Sequence, residues 1–334
     1  MSTTSSDSVE RTVQLAGNST FVVSLPKEWA LALDIERGTS MHLYPHDDRL
    51  VLAPDALEEP DRESRIDAES MDPAAVCRCA SAAYAAGYDR ISVIDRRGID
   101  RELQRRLTAL FDGSLGVEIT AERATAVVAS DVLAATEVSL AQTVAQIRQR
   151  SLLMHEDATE AVLERDVTMA ERVVDRDDDV DRLFAFVCRG FRRGLEDVTE
   201  LDRLATDRRA AFSHYHTARQ LERLADHAVR IATVARLQSD PPPSGIADAL
   251  DEAAAASRNV VTRALADDVH AATAERSRAK ATVDVAEELV IERGGVDAYH
   301  YGTVIESLRR TTALGGNLAV ERFEPAVVGR PGDD

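Results

Sequence analysis

Four acidic residues fall at helical spacing in two separate stretches of the chain. Asp177 and Asp181 lie in "DRDDDVDRLFAF", and Glu222 and Asp226 lie in "LERLADHAVRIA". Because a helix stacks residues four apart on one face, each stretch predicts a pair of neighbouring carboxylates. If the two helices pack side by side, all four carboxylates, here called the acidic quartet, can converge on one place.

The position of the first pair makes that convergence chemically significant. Asp177 fills the gap between Val173 and Val180 in a stripe of apolar residues spaced by three and four, so it is predicted to face inward. Two anions about 5 Å apart repel by roughly 3 kcal/mol at an effective dielectric near 20. Protonation, an arginine or a bound cation would relieve that repulsion. Hard oxygen ligands suit iron, Mn²⁺, Mg²⁺ or Ca²⁺.

Two other interpretations of the same residues stay open. Arg219, Arg223 and Arg230 are near the second pair in sequence and could neutralise it in an ion-pair network. With 59 acidic residues in 334, pairs at this spacing also arise by chance, and the carboxylates could be solvated surface charge. His227 follows Asp226 directly, so it is predicted to face a different side of the helix.

The elements that carry these residues are predicted to be long helices. Residues 136–324 have a helical pattern throughout, and turn signals divide them into six helices. The segment "DPPPSG" at 240–245 separates a first bundle (136–240) from a second (244–324). "LERLADHAVRIA" aligns with "LRRTTALGGNLA" (308–319), which keeps the packing residues but replaces Glu222 by Arg309 and Asp226 by Ala313. We therefore predict a mainly α fold with duplicated three-helix bundles.

The N-terminal part is predicted to contain smaller units. Residues 1–54 read as strand, strand, short helix, strand, strand, which is too little core to be stable alone and favours pairing with a second copy. Residues 55–72 are acidic and proline-containing, and are interpreted as a linker. Residues 73–132 predict a small α/β unit without a chemical motif.

The charge of the chain bounds its partners. The net charge is −19, and Lys27 and Lys280 are the only lysines, which we interpret as adaptation to a salt-rich cytoplasm. No segment approaches the roughly 18–20 uninterrupted apolar residues that a membrane span needs, and the N-terminus lacks a signal-peptide pattern. The sequence predicts a cytoplasmic protein without membrane insertion.

The helical part resembles a known family. "LERLADHAVRIA" is similar to the L-E-R-x-x-D-H-A-x-x-I-A signature of PhoU-family phosphate-uptake regulators, and "DDDVD" (177–181) resembles the second acidic motif of that family. The resemblance covers about residues 137–323. It implies a regulator that acts on a phosphate ABC transporter and its signalling proteins, with the acidic quartet as metal ligands. Arg309 and Ala313 depart from the pattern, which weakens the case for a second cluster.

The N-terminal segment resembles another family. "RTVQLAGNSTFVVSLPKEWALALDI" looks like the SpoVT/AbrB swapped-hairpin fold, which implies a homodimer and a transcription regulator that binds DNA. Arg11 and Lys27 are the expected DNA contacts. Residues 1–54 nevertheless hold four basic against seven acidic residues, so the counterion-release contribution to DNA binding is expected to be small. A purely dimerising role is the alternative.

Three functions remain to be separated. The first is a non-enzymatic regulator of phosphate uptake whose helical bundle binds metal and whose N-terminal domain is a candidate for DNA binding. The second is a structural dimeric adaptor without DNA binding, in which the carboxylates are only surface charge. The third is a di-metal carboxylate enzyme, which the missing Glu-x-x-His pair near Glu222 disfavours.

Overall fold

The fold is mainly helical with a small β part, as predicted. The computed structural model describes residues 9–17, 20–46, 49–54, 62–132, 139–196, 200–201, 204 and 206–322. The chain divides into two compact units, Met1–Pro60 and Asp61–Asp334, which are described separately below.

The first unit contains two small antiparallel hairpins and one short helix. Strands β1 (Gln14–Ala16) and β2 (Thr20–Val22) pair in one sheet, and β3 (His42–His46) and β4 (Arg49–Ala53) pair in another. Helix α1 (Lys27–Ala32) lies between the hairpins in sequence. The order of these elements agrees with the sequence prediction.

The described residues of this first unit form no buried core within one chain. None of its side chains whose burial is described is buried, and several large apolar side chains are among the most exposed in the protein. Phe21 is 77% exposed and Leu31 is 64% exposed. Exposed apolar surface on this scale is typical of a unit that is covered by a partner.

The second unit begins with an α/β subdomain. Its elements are β5 (Glu63–Asp67), α2 (Pro73–Ala86), β6 (Arg90–Ile94), α3 (Arg101–Asp112), β7 (Val117–Arg123) and β8 (Ala126–Asp131). The strand order is β5-β6-β8-β7, in which only β5 and β6 are parallel. Both helices start at an aspartate whose side chain accepts a backbone N–H, Asp72 for α2 and Asp100 for α3.

Strand β5 corrects the sequence prediction. Residues 55–72 were expected to form a linker, but Glu63–Asp67 is an edge strand whose register pairs Ile66 with Val93. Ile66 is buried, whereas Glu63, Arg65 and Asp67 are exposed. Charged side chains are common on edge strands because they discourage pairing with other chains, and here they gave the segment the composition of a linker.

Six long helices follow and confirm the predicted helix number within the described residues. They are α4 (Leu140–Glu164), α5 (Val167–Glu196), α6 (Arg208–Leu237), α7 (Ser244–Leu265), α8 (Val269–Arg293) and α9 (Ala298–Glu321). A single 3-10 turn, Gly295–Asp297, separates the last two. Helices α4, α5 and α6 pack against one another, as do α7, α8 and α9, so the two halves are three-helix bundles.

The two bundles share a continuous apolar core that contains a line of polar contacts. Helix α6 packs on α9, and α4 packs on α7. At this interface His155 Nε2 on α4 lies 3.2 Å from Thr311 Oγ1 on α9. Next to it, within the second bundle, Ser257 Oγ on α7 lies 3.0 Å from Thr312 Oγ1 on α9. We call these two pairs the polar seam. Burial lowers the pKa of His155 to about 3, so its imidazole is neutral.

None of the helices in the described part of the chain combines the length and the apolar character that crossing a bilayer requires.

Candidate functional site

The acidic quartet lies along the contact between α5 and α6. Val173 and Val180 are fully buried in the core, while Asp177 between them is half-buried, as its place in the apolar stripe predicts. Glu222 and Asp226 on α6 are also half-buried, and Asp181 is exposed. The quartet therefore borders the core without being enclosed by it.

Burial and acidic neighbours raise the pKa of three of the four carboxylates. Burial, followed by repulsion from Asp181 and Asp226, raises the pKa of Asp177 to about 6. Burial, followed by repulsion from Asp226 and Asp181, raises the pKa of Glu222 to about 7. The pKa of Asp181 is also raised, first by partial desolvation of its carboxylate and then by Asp226. Acids on α5 and α6 therefore lie within electrostatic reach of one another.

The arginines near the second pair do not neutralise it by direct ion pairs. Arg219 and Arg223 lower the pKa of Glu222, but burial and the two aspartates outweigh them. In the described part of the chain, no arginine or lysine nitrogen lies within 4.0 Å of a carboxylate of the quartet. The neighbouring Asp179 differs, because it pairs with Arg150 at 2.7 Å.

The oxygen ligands of the quartet are of the type that binds a hard cation, but their positions in this structure are not those of a metal site. Four carboxylates from two helices are the ligands that Mg²⁺, Ca²⁺, Mn²⁺ and iron prefer. Among the described residues, however, no three acidic, histidine or cysteine side chains are arranged closely enough to hold one metal ion. Coordination would require these partly exposed side chains to rotate toward one another.

His227 and Cys188 lie near the quartet but have other surroundings. Burial, followed by the positive charges of Arg230 and Arg310, lowers the pKa of His227 to about 4. Burial raises the pKa of Cys188 to about 11, so its thiol is not a ready metal ligand at neutral pH.

The two expected DNA contacts belong to the first unit and are both exposed. Arg11 donates a hydrogen bond to the backbone oxygen of Glu10 at 2.9 Å. Lys27 is the first residue of α1. Their exposure leaves both side chains accessible to a ligand.

Sequence reasoning missed a buried ion network on the second half of α5. Arg189 and Arg193, which we call the arginine clamp, are 4% and 7% exposed. Both guanidinium groups donate to Asp131 at 2.6 Å, and Arg193 also donates to Asp89 and Glu200 at 2.7 Å. Arg189 further contacts the ring of Tyr84. The clamp fastens the α/β subdomain to the first bundle.

Taken together, the fold and the acidic quartet define a class of protein: a duplicated three-helix bundle with paired carboxylates on two adjacent helices. Comparison with known families agrees, because residues 144–235 match the PhoU domain. This match covers most of α4, all of α5 and nearly all of α6, including the whole quartet. No curated protein matches the chain significantly.

Proposed function

We propose that this protein regulates phosphate uptake in the cytoplasm through its first helical bundle. The coincidence of the PhoU match with the acidic quartet is the observation that carries the proposal. Contacts with a phosphate ABC transporter or its signalling proteins would transmit the response. The test is the rate of phosphate uptake in host cells without the gene. Uptake under phosphate-rich conditions should rise severalfold and return to normal on complementation, whereas unchanged uptake would contradict the proposal.

Cation binding by the acidic quartet is the second part of the proposal. Asp177, Asp181, Glu222 and Asp226 would supply the oxygen ligands, and the cation would balance their negative charge. Burial and then repulsion between acids raise the pKa of Asp177 and of Glu222, which shows the cost of leaving that charge unbalanced. The metal content of the protein after Mn²⁺ or iron loading tests this idea. Asp177→Ala and Glu222→Ala should lose the metal, while the matched control Asp179→Ala should keep it, since Asp179 already pairs with Arg150.

The first unit provides a third part of the proposal, which is homodimerisation with DNA binding. Its exposed apolar surface supports the dimer, and its resemblance to SpoVT/AbrB hairpins supports DNA as a ligand. Gel-shift titrations on promoters of phosphate-transport genes, repeated over a range of salt, are the measurement. Arg11→Ala and Lys27→Ala should weaken binding more than Arg37→Ala. Absence of a shift at every salt concentration removes this part only.

A structural dimeric adaptor is the competing function. It is favoured by the exposure of Asp181 and by the lack of three converging ligands among the described residues. The metal measurements separate the two functions. Equal metal content in wild type, Asp177→Ala and Asp179→Ala, all folded, supports the adaptor.

A further inference from the structure

The second bundle contains its own acidic patch, which spacing alone did not reveal. Asp284 and Glu287 lie on α8, where they face Arg309 on α9. Arg309 Nη2 lies 2.7 Å from Glu287 Oε2, and Nη1 lies 3.3 Å from Glu287 Oε1, which is a two-pronged contact. Arg309 Nη2 also donates to Asp284 Oδ1 at 3.2 Å. One guanidinium thus serves two carboxylates on α8, and its Nη1 also lies 4.0 Å from Glu306 Oε2 on α9.

Arg309 occupies the place in the second bundle that Glu222 occupies in the first. Leu221 and Leu308, which precede these two residues, are both fully buried. Further along the same helices, Ala232 and Ala319 are also buried, with at most 4% of their surface exposed. Helix α6 packs against α5, and α9 packs against α8 in the same way. The repeat therefore keeps its packing while the charge at this one position reverses.

The two patches consequently differ in how their negative charge is balanced. In the first bundle no ion pair reaches the quartet within the described residues. In the second, hydrogen bonds from Arg309 hold the pKa of Glu287 below its usual range, and the pKa of Arg309 is raised in return. The second patch is neutralised by a residue of its own chain.

We propose that Arg309 is a built-in counter-ion that does permanently, between α8 and α9, what a bound cation does between α5 and α6. Of these two equivalent helix contacts, the one between α5 and α6 is then the one that binds a cation. At the contact between α8 and α9, the guanidinium of Arg309 takes the place of the cation. The statement about α5 and α6 rests on the proposed cation binding; the role of Arg309 does not. Guanidinium suits this role because it stays charged at every physiological pH.

The test is to reverse the charge at this position. Arg309→Glu places a carboxylate beside Asp284 and Glu287 without a cation. Arg310→Glu is the matched control, because Arg310 pairs with Glu306 and, among the described residues, with neither Asp284 nor Glu287. Mn²⁺ binding is measured by equilibrium dialysis with metal analysis. Arg309→Glu should bind one more equivalent than wild type, and adding Asp284→Asn should weaken that extra binding about tenfold. Arg310→Glu should bind as wild type does.

The extra equivalent should survive in Arg309→Glu combined with Glu222→Gln, because it belongs to the second bundle. Extra binding in Arg309→Glu with none in wild type would overturn cation binding by the quartet and still support the counter-ion. No gain over wild type in folded Arg309→Glu overturns the counter-ion. If that variant does not fold, Arg309→Met replaces it: Mn²⁺ should raise its Tm by more than that of wild type, and an equal response overturns the proposal.

Discussion

At the scale of single residues, the protonation of Glu222 distinguishes this site from ordinary surface charge. Because the pKa of Glu222 is about 7, this carboxyl group is protonated in a substantial fraction of the molecules at neutral pH. A bound cation would have to displace that proton, because only the ionised carboxylate is a strong ligand. Cation binding by the quartet is therefore expected to strengthen as the pH rises from 6 to 8.

In metal-free buffer, the stability of the protein is expected to depend on the protonation of Glu222. Because the folded pKa of Glu222 is above the value of about 4.3 for an exposed glutamate, the folded state binds the proton more tightly. Stability therefore increases as the pH falls from 8 through about 7, and levels off near pH 4.3. Glu222→Gln should raise the free energy of unfolding by about 1 kcal/mol at pH 8, allowing for solvent screening, and by less at pH 5.

Urea unfolding at the two pH values measures this difference. Glu171→Gln, an exposed acid on α5, is the control and should change stability equally at both. The same change at pH 8 and pH 5 in Glu222→Gln would show that the carboxylate is not perturbed by its neighbours.

At the scale of elements, the arginine clamp concentrates much of the attachment of the α/β subdomain on α5. Replacing Arg193 by Met removes donors to Asp89, Asp131 and Glu200, all acids at least three-quarters buried in their side chains. Losing one partner of a buried ion network typically costs about 3–5 kcal/mol. Arg193→Met should approach that loss in denaturant unfolding, and the exposed neighbour Arg192→Met should change stability by less than about 0.5 kcal/mol. Similar losses in both would contradict the clamp.

Two glycines on α9 allow a matched test of helix packing. A Cβ on Gly315 would lie 2.8 Å from the backbone nitrogen of Val261, whereas a Cβ on Gly302 would meet nothing within 4 Å. Gly315→Ala should therefore destabilise the protein by about 1–3 kcal/mol through overpacking. Gly302→Ala should stabilise it by about 0.5–1 kcal/mol, since alanine is the better helix former. Thermal unfolding measures both, and equal signs would contradict the close approach of α7 and α9.

The elements were predictable wherever the local pattern was strong. The six long helices follow from apolar periodicity between turn signals, and the small α/β unit expected over residues 73–132 has its strands and helices there. Strand β5 was missed because Ile66 is the one buried residue among its five, so the segment lacks the apolar alternation of a strand. The arginine clamp was missed because Arg189 and Asp131 are 58 residues apart, and no local spacing connects them. For the quartet, spacing predicted each pair but could not decide whether the nearby arginines form ion pairs with it, and among the described residues they do not.

At the scale of the whole molecule, the first unit is the part whose folding should depend on a second chain. Phe21→Asp is expected to shift the protein from dimer toward monomer, because a charge on the interface opposes burial of that surface. Sedimentation velocity over a range of concentrations measures the shift. Ile291→Asp is the control, since Ile291 is 75% exposed on α8. A dimer that both substitutions leave intact would contradict association through the hairpins.

The polar seam affects the register in which the two similar bundles pack against each other. Two similar halves offer many apolar surfaces that could join in a shifted register. The imidazole of His155 on α4 is completely buried and lies against Thr311 on α9 of the other bundle, so a shifted register separates this pair. A buried group left without its hydrogen bond costs about 1–3 kcal/mol. This contact therefore favours the observed register of the two halves.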